Sequence, residues 1–287
     1  MSDVPADEVV EIRPSTVDRL PEYEALYRTC FPHATHLTAG YLSWLYAANP
    51  AGSLVGADAL VGDSVIGQVA AVPGDYVLDG RTVRGLLAVN VAVHPRYQGR
   101  HLFKKLGLRM CDFGAEAGHE FVIGVANAAA TPGWVRQMRF QLVQPLEARV
   151  GIGPLGIDMA AAAAARFRRE WTAATIAWRM ANPRNAVRCQ PRRDRTACFA
   201  AAKGWALPAY AELPGEVPVA ARGGLESPAR LFLGLVPEGV GGFGRYVDIP
   251  QRYRPSPLNL VYRPLGGQAA SLQRGSILFS FLDFDAY

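Results

Sequence analysis

The sequence predicts an α/β protein in which a mixed, mostly antiparallel sheet is flanked by helices on both faces. Three observations predict this fold: apolar, β-branched segments of strand length, apolar residues at helical spacing between them, and turn signals that separate them. The most informative stretch is VNVAVHPRYQGRHLFKKLGLRMCDFGA, residues 89–115. It is typical of a buried strand that ends at a proline, a glycine-containing turn and an amphipathic helix.

The elements before this stretch follow from local patterns. Apolar residues on one side of residues 18–31 predict a helix, and the Asn49-Pro50 pair ends a second, shorter one. Turn signals at Gly62-Asp63 and Asp79-Gly80 separate three strands. The predicted order is strand 9–13, helix 18–31, a short helix around residues 42–46, and strands 53–61, 65–77 and 83–93.

The elements after it are a strand at residues 120–125, a segment at 134–140 that begins as a helix, and a strand that ends at Val143. Gly and Pro residues at 151–156 mark a junction. Asp158 is a suitable N-cap for a helix that the alanine-rich sequence extends to Met180. A strand pair at 186–202 and a final apolar strand at 277–287 complete the prediction.

The second half contains a weak echo of the first. Trp44 is followed by Asn49-Pro50, Trp178 is followed by Asn182-Pro183, and a strand pair comes after each. We therefore expect two related halves, residues 1–150 and 151–287, of which the second is degenerate. The alternative is an unrelated C-terminal domain with a chance match.

The strand, turn and helix of residues 89–115 predict an anion site. Backbone amides at a helix N-terminus lack intrahelical acceptors, and the helix dipole favours negative charge there. The turn Gln98-Gly99-Arg100-His101 therefore indicates a cofactor that carries phosphate groups.

These residues resemble the acetyl-coenzyme A signature of the GNAT (GCN5-related N-acetyltransferase) superfamily. That signature is V-x-V-x-P followed by R/Q-x-x-G-x-G/A, and here it occurs as VAVHP at 91–95 and QGRHLF at 98–103. His101 stands where the family usually has Gly, and Phe103 where it has Gly or Ala. The resemblance covers residues 8–150.

The resemblance implies an acyl-CoA-dependent N-acyltransferase, with acetyl-CoA as co-substrate and a primary amine of a small molecule as acceptor. It implies that the pyrophosphate lies at the turn, and that the strand before the turn and the strand at 120–125 splay apart for pantetheine. The implied cofactor residues are Val91, Ala92, Val93, Gln98, Gly99, Arg100, His101, Leu102, Phe103, Lys104 and Asn127. Lys105 is a further candidate for the ribose 3′-phosphate.

The residues for acid–base catalysis are not evident. Many family members carry a Glu on the strand before the Asn and a Tyr seven residues after it, but this chain has Val122 and Trp134. The remaining candidates are Asn90, His94, Asp283 and Asp285, with His101 beside the turn. The second hypothesis is therefore a catalytically silent module that binds acyl-CoA or a partner.

Composition bounds the class of protein. The chain has 287 residues, a formal net charge of +5 and four cysteines without metal-ligand spacing, so no metal is expected. No apolar stretch is long enough to span a membrane and no export signal is evident, which predicts a cytoplasmic protein. Five arginines between residues 184 and 195 are interpreted as a solvated turn rather than a nucleic-acid site. The oligomeric state stays open.

Overall fold

The computed structural model describes residues 8–203, 206–219, 227–266 and 271–284. The helices are α1 (Leu20–Cys30), α2 (Ala39–Tyr46), α3 (Leu102–Glu116), α4 (Met159–Ala163) and α5 (Ala173–Met180). The strands to residue 152 are β1 (Glu11–Pro14), β2 (Val55–Val61), β3 (Ser64–Leu78), β4 (Arg81–Val93), β5 (Phe121–Ala126), β6 (Gln141–Pro145) and β7 (Glu147–Ile152). The later strands are β8 (Phe167–Arg169), β9 (Arg188–Pro191), β10 (Arg195–Lys203), β11 (Leu207–Pro214), β12 (Ala229–Leu235), β13 (Tyr246–Asp248), β14 (Asn259–Pro264) and β15 (Ile277–Ser280).

One continuous path of hydrogen-bonded strands runs through both halves, in the order β6-β14-β5-β4-β3-β8-β15-β12-β11-β10-β9. Most neighbouring pairs are antiparallel, and β4 pairs with β5 in parallel. Helix α3 packs on one face, where Leu106 and Met110 are fully buried, and α1 and α2 cover the other face. The predicted fold class, a mixed sheet with helices on both faces, is confirmed.

The second half repeats the strand pattern of the first. β3 and β4 form an antiparallel pair and β4 lies parallel to β5, just as β10 and β11 are antiparallel and β11 lies parallel to β12. The α2 and α5 helices, each followed by an Asn-Pro sequence, precede these strands. The likeness supports the proposal that the halves are related.

Each half is completed by a strand from the other. β14 (Asn259–Pro264), late in the chain, inserts between β5 and β6 of the first half. β7 (Glu147–Ile152), at the end of the first half, pairs with β12 and β13 in the second. Each half therefore needs a strand from the other half to complete its part of the sheet. Dividing the chain near residue 150 would leave both parts incomplete.

Two tryptophans join the halves symmetrically. Trp44 Nε1 donates to the Trp178 carbonyl oxygen at 2.8 Å, and Trp178 Nε1 donates to the Trp44 carbonyl oxygen at 2.9 Å. The two rings stack with centroids 4.9 Å apart, and both side chains are buried. Asn49 and Asn182, which follow them, each accept from the backbone N–H two residues later.

The predicted single helix over 158–180 is wrong. Asp158 does cap a helix, since its Oδ1 accepts from the amides of Ala160 and Ala161, but α4 ends at Ala163. Strand β8 follows because residues 167–169 pair with the end of β3 and with β15. Thr172 then begins α5 with a capping box. Tertiary strand pairing has overridden the helix propensity of this region.

The final predicted strand is shorter than expected. β15 ends at Ser280, a turn occupies residues 281–284, and Asp285 lies outside the described residues. Arg192 and Arg193 lie in the short β9–β10 turn, and Arg188 and Arg195 lie on its two strands. Arg184 precedes β9 and lines a pocket, so the interpretation as a solvated turn fits only part of the cluster. All four cysteines are free thiols, with the Cys189 and Cys198 sulfurs 3.1 Å apart. Within the described ranges no helix is long and apolar enough to cross a membrane, and no three metal-ligating side chains lie together.

Candidate active site

The site begins where two parallel strands separate. β4 and β5 pair from Gly85–Phe121 to Ala88–Gly124, and no pairing follows. β4 continues to Val93 with its other edge bonded to β3, and a bulge at Val89 shifts the register there. The edge of β4 that faces β5 therefore has no strand partner from residue 89 to 93.

A turn with two left-handed residues connects β4 to α3. His94 begins a short 3-10 segment, Gly99 has φ of 79° and His101 has φ of 59°. His101 is thus a non-glycine residue in the conformation that a glycine adopts without strain. Its place in the chain is the one that the family pattern gives to glycine, and the backbone shows why.

This turn presents a row of backbone donors. Among the described residues no acceptor is found for the amides from Gly99 to Lys104. The α3 N-terminus adds its dipole to these unpaired amides, so the turn is suited to bind an anion. A Cβ at Gly99 would meet no atom within 4 Å, which leaves the approach open.

Charged side chains surround the turn. Arg100, Lys104 and Lys105 are exposed, and the Arg100 guanidinium lies 5.4 Å from the centroid of the Tyr97 ring. Gln98 Nε2 donates to the Val93 carbonyl oxygen at 3.1 Å and so ties the turn to the end of β4. The turn is positively charged, with no acidic residue between 94 and 111.

Phe103 points away from the donor row. Its ring packs edge-on against Trp134 at 5.7 Å, next to Gly133, where a Cβ would lie 2.4 Å from the Phe103 ring. The bulky residue at this family position is therefore accommodated by a missing side chain opposite it. Leu102 is buried under the helix, which leaves only the backbone of these residues to face a ligand.

Asn127 lies at the end of β5, across the separation from β4. Its Oδ1 accepts from the Ala130 N–H at 2.9 Å, and its backbone carbonyl accepts from the Thr131 N–H and hydroxyl. No acceptor for its Nδ2 is found among the described residues. The side chain is exposed and oriented by its own turn, with its donor group available.

A pocket of about 140 Å³ opens where the strands separate. Leu87 to Asn90 of β4 and Val125 of β5 form its floor. One side is lined by His36, just before α2, and by Tyr41, on α2. Another side is lined by Arg184 and Phe284 of the second half. No signal in the sequence singled out these four side chains.

His36 is a neutral base in this pocket. Burial lowers the pKa of its imidazole, and the Arg184 guanidinium lowers this pKa further. The ring packs edge-on against Tyr41 with centroids 5.5 Å apart. A histidine whose pKa lies below its ordinary value is unprotonated at neutral pH and can accept a proton.

A buried chain of hydrogen bonds ends at Asn90. Asn90 Nδ2 donates to the Tyr46 hydroxyl at 2.7 Å, which lies 2.8 Å from the Tyr27 hydroxyl, and Tyr27 donates to Gln68 Oε1. Gln68 Nε2 donates to the Ser15 hydroxyl at 3.3 Å, and Ser15 donates to Asp58 Oδ1 at 2.5 Å. Burial raises the pKa of Asp58, Tyr27 and Tyr46. Nothing in the sequence pattern indicated this chain.

The other predicted catalytic candidates are placed apart from the pocket. His94 Nδ1 accepts from the Arg96 amide at 3.2 Å, and its ring packs on Tyr97. Asp283 is buried and accepts from the backbone and hydroxyl of Ser280, while Asp285 is outside the described residues. Val122 and Trp134 are both buried in the core.

A larger cavity, of about 540 Å³, lies in the second half and is lined by residues that include Trp171, Glu212 and Asp283. It borders the ends of β11 and β12, but no donor row like that at Gly99–Lys104 borders it in the described part of the chain. The smaller pocket is the candidate active site because it adjoins the edge of β4 that β5 leaves.

Comparisons with known proteins concern the family and the fold. Residues 11–140 match a family model described as an acetyltransferase (GNAT) domain. No curated protein matches significantly. The fold is similar to a GCN5-related N-acetyltransferase from Anabaena variabilis (TM-score 0.58, 10% identity, 90% of this chain and 73% of that one). It is also similar to one from Kribbella flavida (0.57, 11%, 89% and 71%) and to Eis1 from Mycobacterium abscessus (0.52, 13%, 90% and 74%).

Proposed function

Because residues 11–140 belong to the GNAT acetyltransferase family, we propose that the protein is an acyl-CoA-dependent N-acyltransferase. The proposed reaction moves an acetyl group from acetyl-CoA to a primary amine of a small molecule. The observation that carries the proposal is the row of unpaired amides from Gly99 to Lys104 beside the unpaired edge of β4. Together they form one continuous track of backbone donors and acceptors, from an anion site to a pocket.

The residues of this track fit acetyl-CoA, which supplies the acetyl thioester. The amides of residues 99–104 would hold the pyrophosphate, and Arg100, Lys104 or Lys105 would pair with the 3′-phosphate. The β4 edge at Val91 to Val93 and the Asn127 Nδ2 would pair with the pantetheine amides. Gln98 would fix the turn through its bond to Val93.

Acyl transfer from a thioester to an amine requires few groups from the protein. The amine nitrogen bonds to the acetyl carbon, the carbon–sulfur bond breaks, and CoA leaves as the thiolate. Backbone N–H groups at the β4 bulge would stabilise the negative charge that develops on the carbonyl oxygen. His36, neutral at pH 7, would accept the proton that the amine loses, directly or through one water.

Calorimetric titration with acetyl-CoA tests the cofactor half of the proposal. We expect micromolar binding that weakens about tenfold or more in Arg100→Glu or Lys104→Glu, because a hydrogen bond to a charged group contributes about 1.5–3 kcal/mol. Arg109→Glu is the matched control, because Arg109 lies further along α3 and pairs with Asp112. No binding at millimolar acetyl-CoA would contradict the proposal.

Release of free CoA thiol in the presence of an amine panel tests the transfer. We expect His36→Gln to lower kcat by about 10² or more while acetyl-CoA binding persists. His33→Gln, an exposed histidine three residues earlier, is the control. The second candidate function, a silent acyl-CoA-binding module, is favoured by the buried Val122 and Trp134; binding without turnover of any amine would support it.

A further inference from the structure

We infer that the acceptor is a small primary amine that also carries an anionic group. Asn90 Oδ1 accepts a hydrogen bond from the N–H of the amine, and the Arg184 guanidinium binds the anionic group. This inference rests on the proposed N-acyltransferase function and names the substrate class of the same pocket. It depends on the orientation of one amide, on one cation without a partner, and on the size and charge of the pocket.

The orientation of the Asn90 amide follows from the far end of its hydrogen-bond chain. Asp58 accepts from two hydroxyls, Ser15 at 2.5 Å and Tyr23 at 2.7 Å, which is the arrangement of an ionised carboxylate. Ser15 donates to Asp58, so its oxygen accepts from the Gln68 Nε2, and this leaves the Gln68 Oε1 to accept from Tyr27. Each donor in the chain is thereby directed toward Asp58.

The same logic reaches the pocket. Tyr27 donates to Gln68, so the Tyr27 oxygen accepts from Tyr46, and the Tyr46 oxygen accepts from Asn90 Nδ2. The Asn90 amide nitrogen therefore faces the core, and its Oδ1 has no donor among the described residues. Aligned hydrogen bonds polarise one another, which makes Asn90 Oδ1 a stronger acceptor for an N–H in the pocket.

Arg184 supplies the second contact. It lines the pocket on the side formed by the second half, and no carboxylate partner for it occurs in the described part of the chain. Its backbone is fixed, because the Arg184 amide donates to Asn182 Oδ1 at 2.9 Å. Arg184 is exposed to solvent, and the partial burial of its guanidinium lowers its pKa. A carboxylate or phosphate is the group that it would bind in bidentate fashion.

The rest of the pocket excludes other acceptors. None of its lining residues is Asp or Glu, so nothing there attracts a purely cationic amine such as a polyamine. Its volume of about 140 Å³ corresponds to about five water molecules at 30 Å³ each, which suits a small molecule. Arg184 also favours the neutral, nucleophilic form of a nearby amine, because a cation close by lowers the amine pKa.

The test compares amines that differ only in charge. Glycine, β-alanine and 4-aminobutyrate vary the distance between amine and carboxylate, and their amides are neutral controls of equal length. Phosphoethanolamine distinguishes a phosphate from a carboxylate. Turnover is followed as CoA thiol release, and binding of each amine is measured by calorimetry on the protein saturated with CoA.

We expect kcat/KM for the best anionic amine to exceed that for its amide at least tenfold. Arg184→Gln should abolish this difference through KM, and Arg184→Lys should restore part of it. Arg193→Gln, an exposed arginine in the β9–β10 turn, should leave it unchanged. Tyr46→Phe breaks the chain at one hydroxyl and should raise KM for all amines, whereas Asn90→Ala should raise it further.

The outcomes separate the inference from the function on which it rests. Equal kcat/KM for neutral and anionic amines would overturn the inference, and so would an equal loss of kcat/KM for both in Arg184→Gln. Either result would leave the proposed N-acyltransferase function in place. Arg184-dependent binding of anionic amines without turnover supports the inference and overturns the enzymatic function. No binding of any amine or of acetyl-CoA overturns both.

Discussion

The two halves share a framework and differ in the connection that matters for chemistry. In the first half, 27 residues, 94–120, link β4 to the parallel strand β5 and contain the donor turn and α3. In the second, only 14 residues, 215–228, link β11 to β12, which is too short for a helix of the length of α3. The same strand pattern therefore occurs with a long connection and with a short one. The candidate anion site belongs to the long connection of the first half.

The strands also separate differently. β4 and β5 diverge after four paired positions, and the freed edge of β4 stays open beside the pocket. Among the described residues β11 and β12 pair at Ala209 and Leu231, and β15 pairs with β12 at residues 234 and 235. In the second half β15 thus lies beside β12, the counterpart of β5, whereas in the described part of the first half the β4 edge that faces β5 has no strand partner beyond residue 88. We interpret the second half as a supporting unit that contributes Arg184 and Phe284 to the pocket of the first half.

The joint between the halves gives the largest expected effect. Trp44→Ala and Trp178→Ala should each lower the free energy of unfolding by about 3–5 kcal/mol, because each leaves a cavity and removes one of the two indole hydrogen bonds. Trp178→Ala should cost more, since its ring also lies 4.5 Å from the buried Arg179 guanidinium. Denaturant unfolding measures both, and the double variant should cost clearly less than the sum. Strictly additive losses would show that the rings do not act as a unit.

The next effect is a pH dependence of stability to which a buried histidine of the first half contributes. All five histidines precede residue 120, and His119 is buried at the end of α3. Burial lowers the pKa of His119 to about 4, and Arg84 adds to the effect. Because the folded pKa lies below the ordinary 6.5, this contribution to stability is complete above pH 6.5 and is lost as the pH falls toward 4.

We expect the loss to reach up to about 3 kcal/mol, at 1.36 kcal/mol per pKa unit. Denaturant unfolding of His119→Gln between pH 7.5 and 4.5 should show a shallower fall than the unsubstituted protein. His33→Gln, which is exposed, should reproduce the original slope. A His119→Gln slope equal to the original would assign the acid sensitivity to other groups.

The smallest effect concerns the turn between β4 and α3 in the first half. His101→Gly should stabilise the protein by about 1 kcal/mol, because it relieves a left-handed residue that has a Cβ. It should also tighten acetyl-CoA binding by removing a side chain from the donor row. His94→Gly is the contrasting variant, since His94 has φ of −52° and caps the 3-10 segment; it should only destabilise. Weaker cofactor binding in His101→Gly would mean that the imidazole itself contacts the ligand.

Local chemistry in the sequence determined the core of the candidate site. The order of β4, turn and α3 and the expectation of an anion site at residues 98–104 follow from signals within a few residues, whereas the expected role of Asn127 came from the family resemblance. Proline ends strand pairing, glycine permits the left-handed turn, and apolar spacing sets the helix face. These effects act over short distances along the chain, so a single sequence carries them.

Tertiary structure alone decided the rest. A helix-favouring segment became β8 because the edge of β3 offered unpaired hydrogen-bonding groups, and β7 and β14 each closed the sheet of the other half. The pocket combines His36, Asn90 and Arg184, and Asn90 is oriented by a chain that ends at Asp58. Such contacts join residues tens to hundreds of positions apart, and no local preference specifies which distant partner will satisfy a buried polar group.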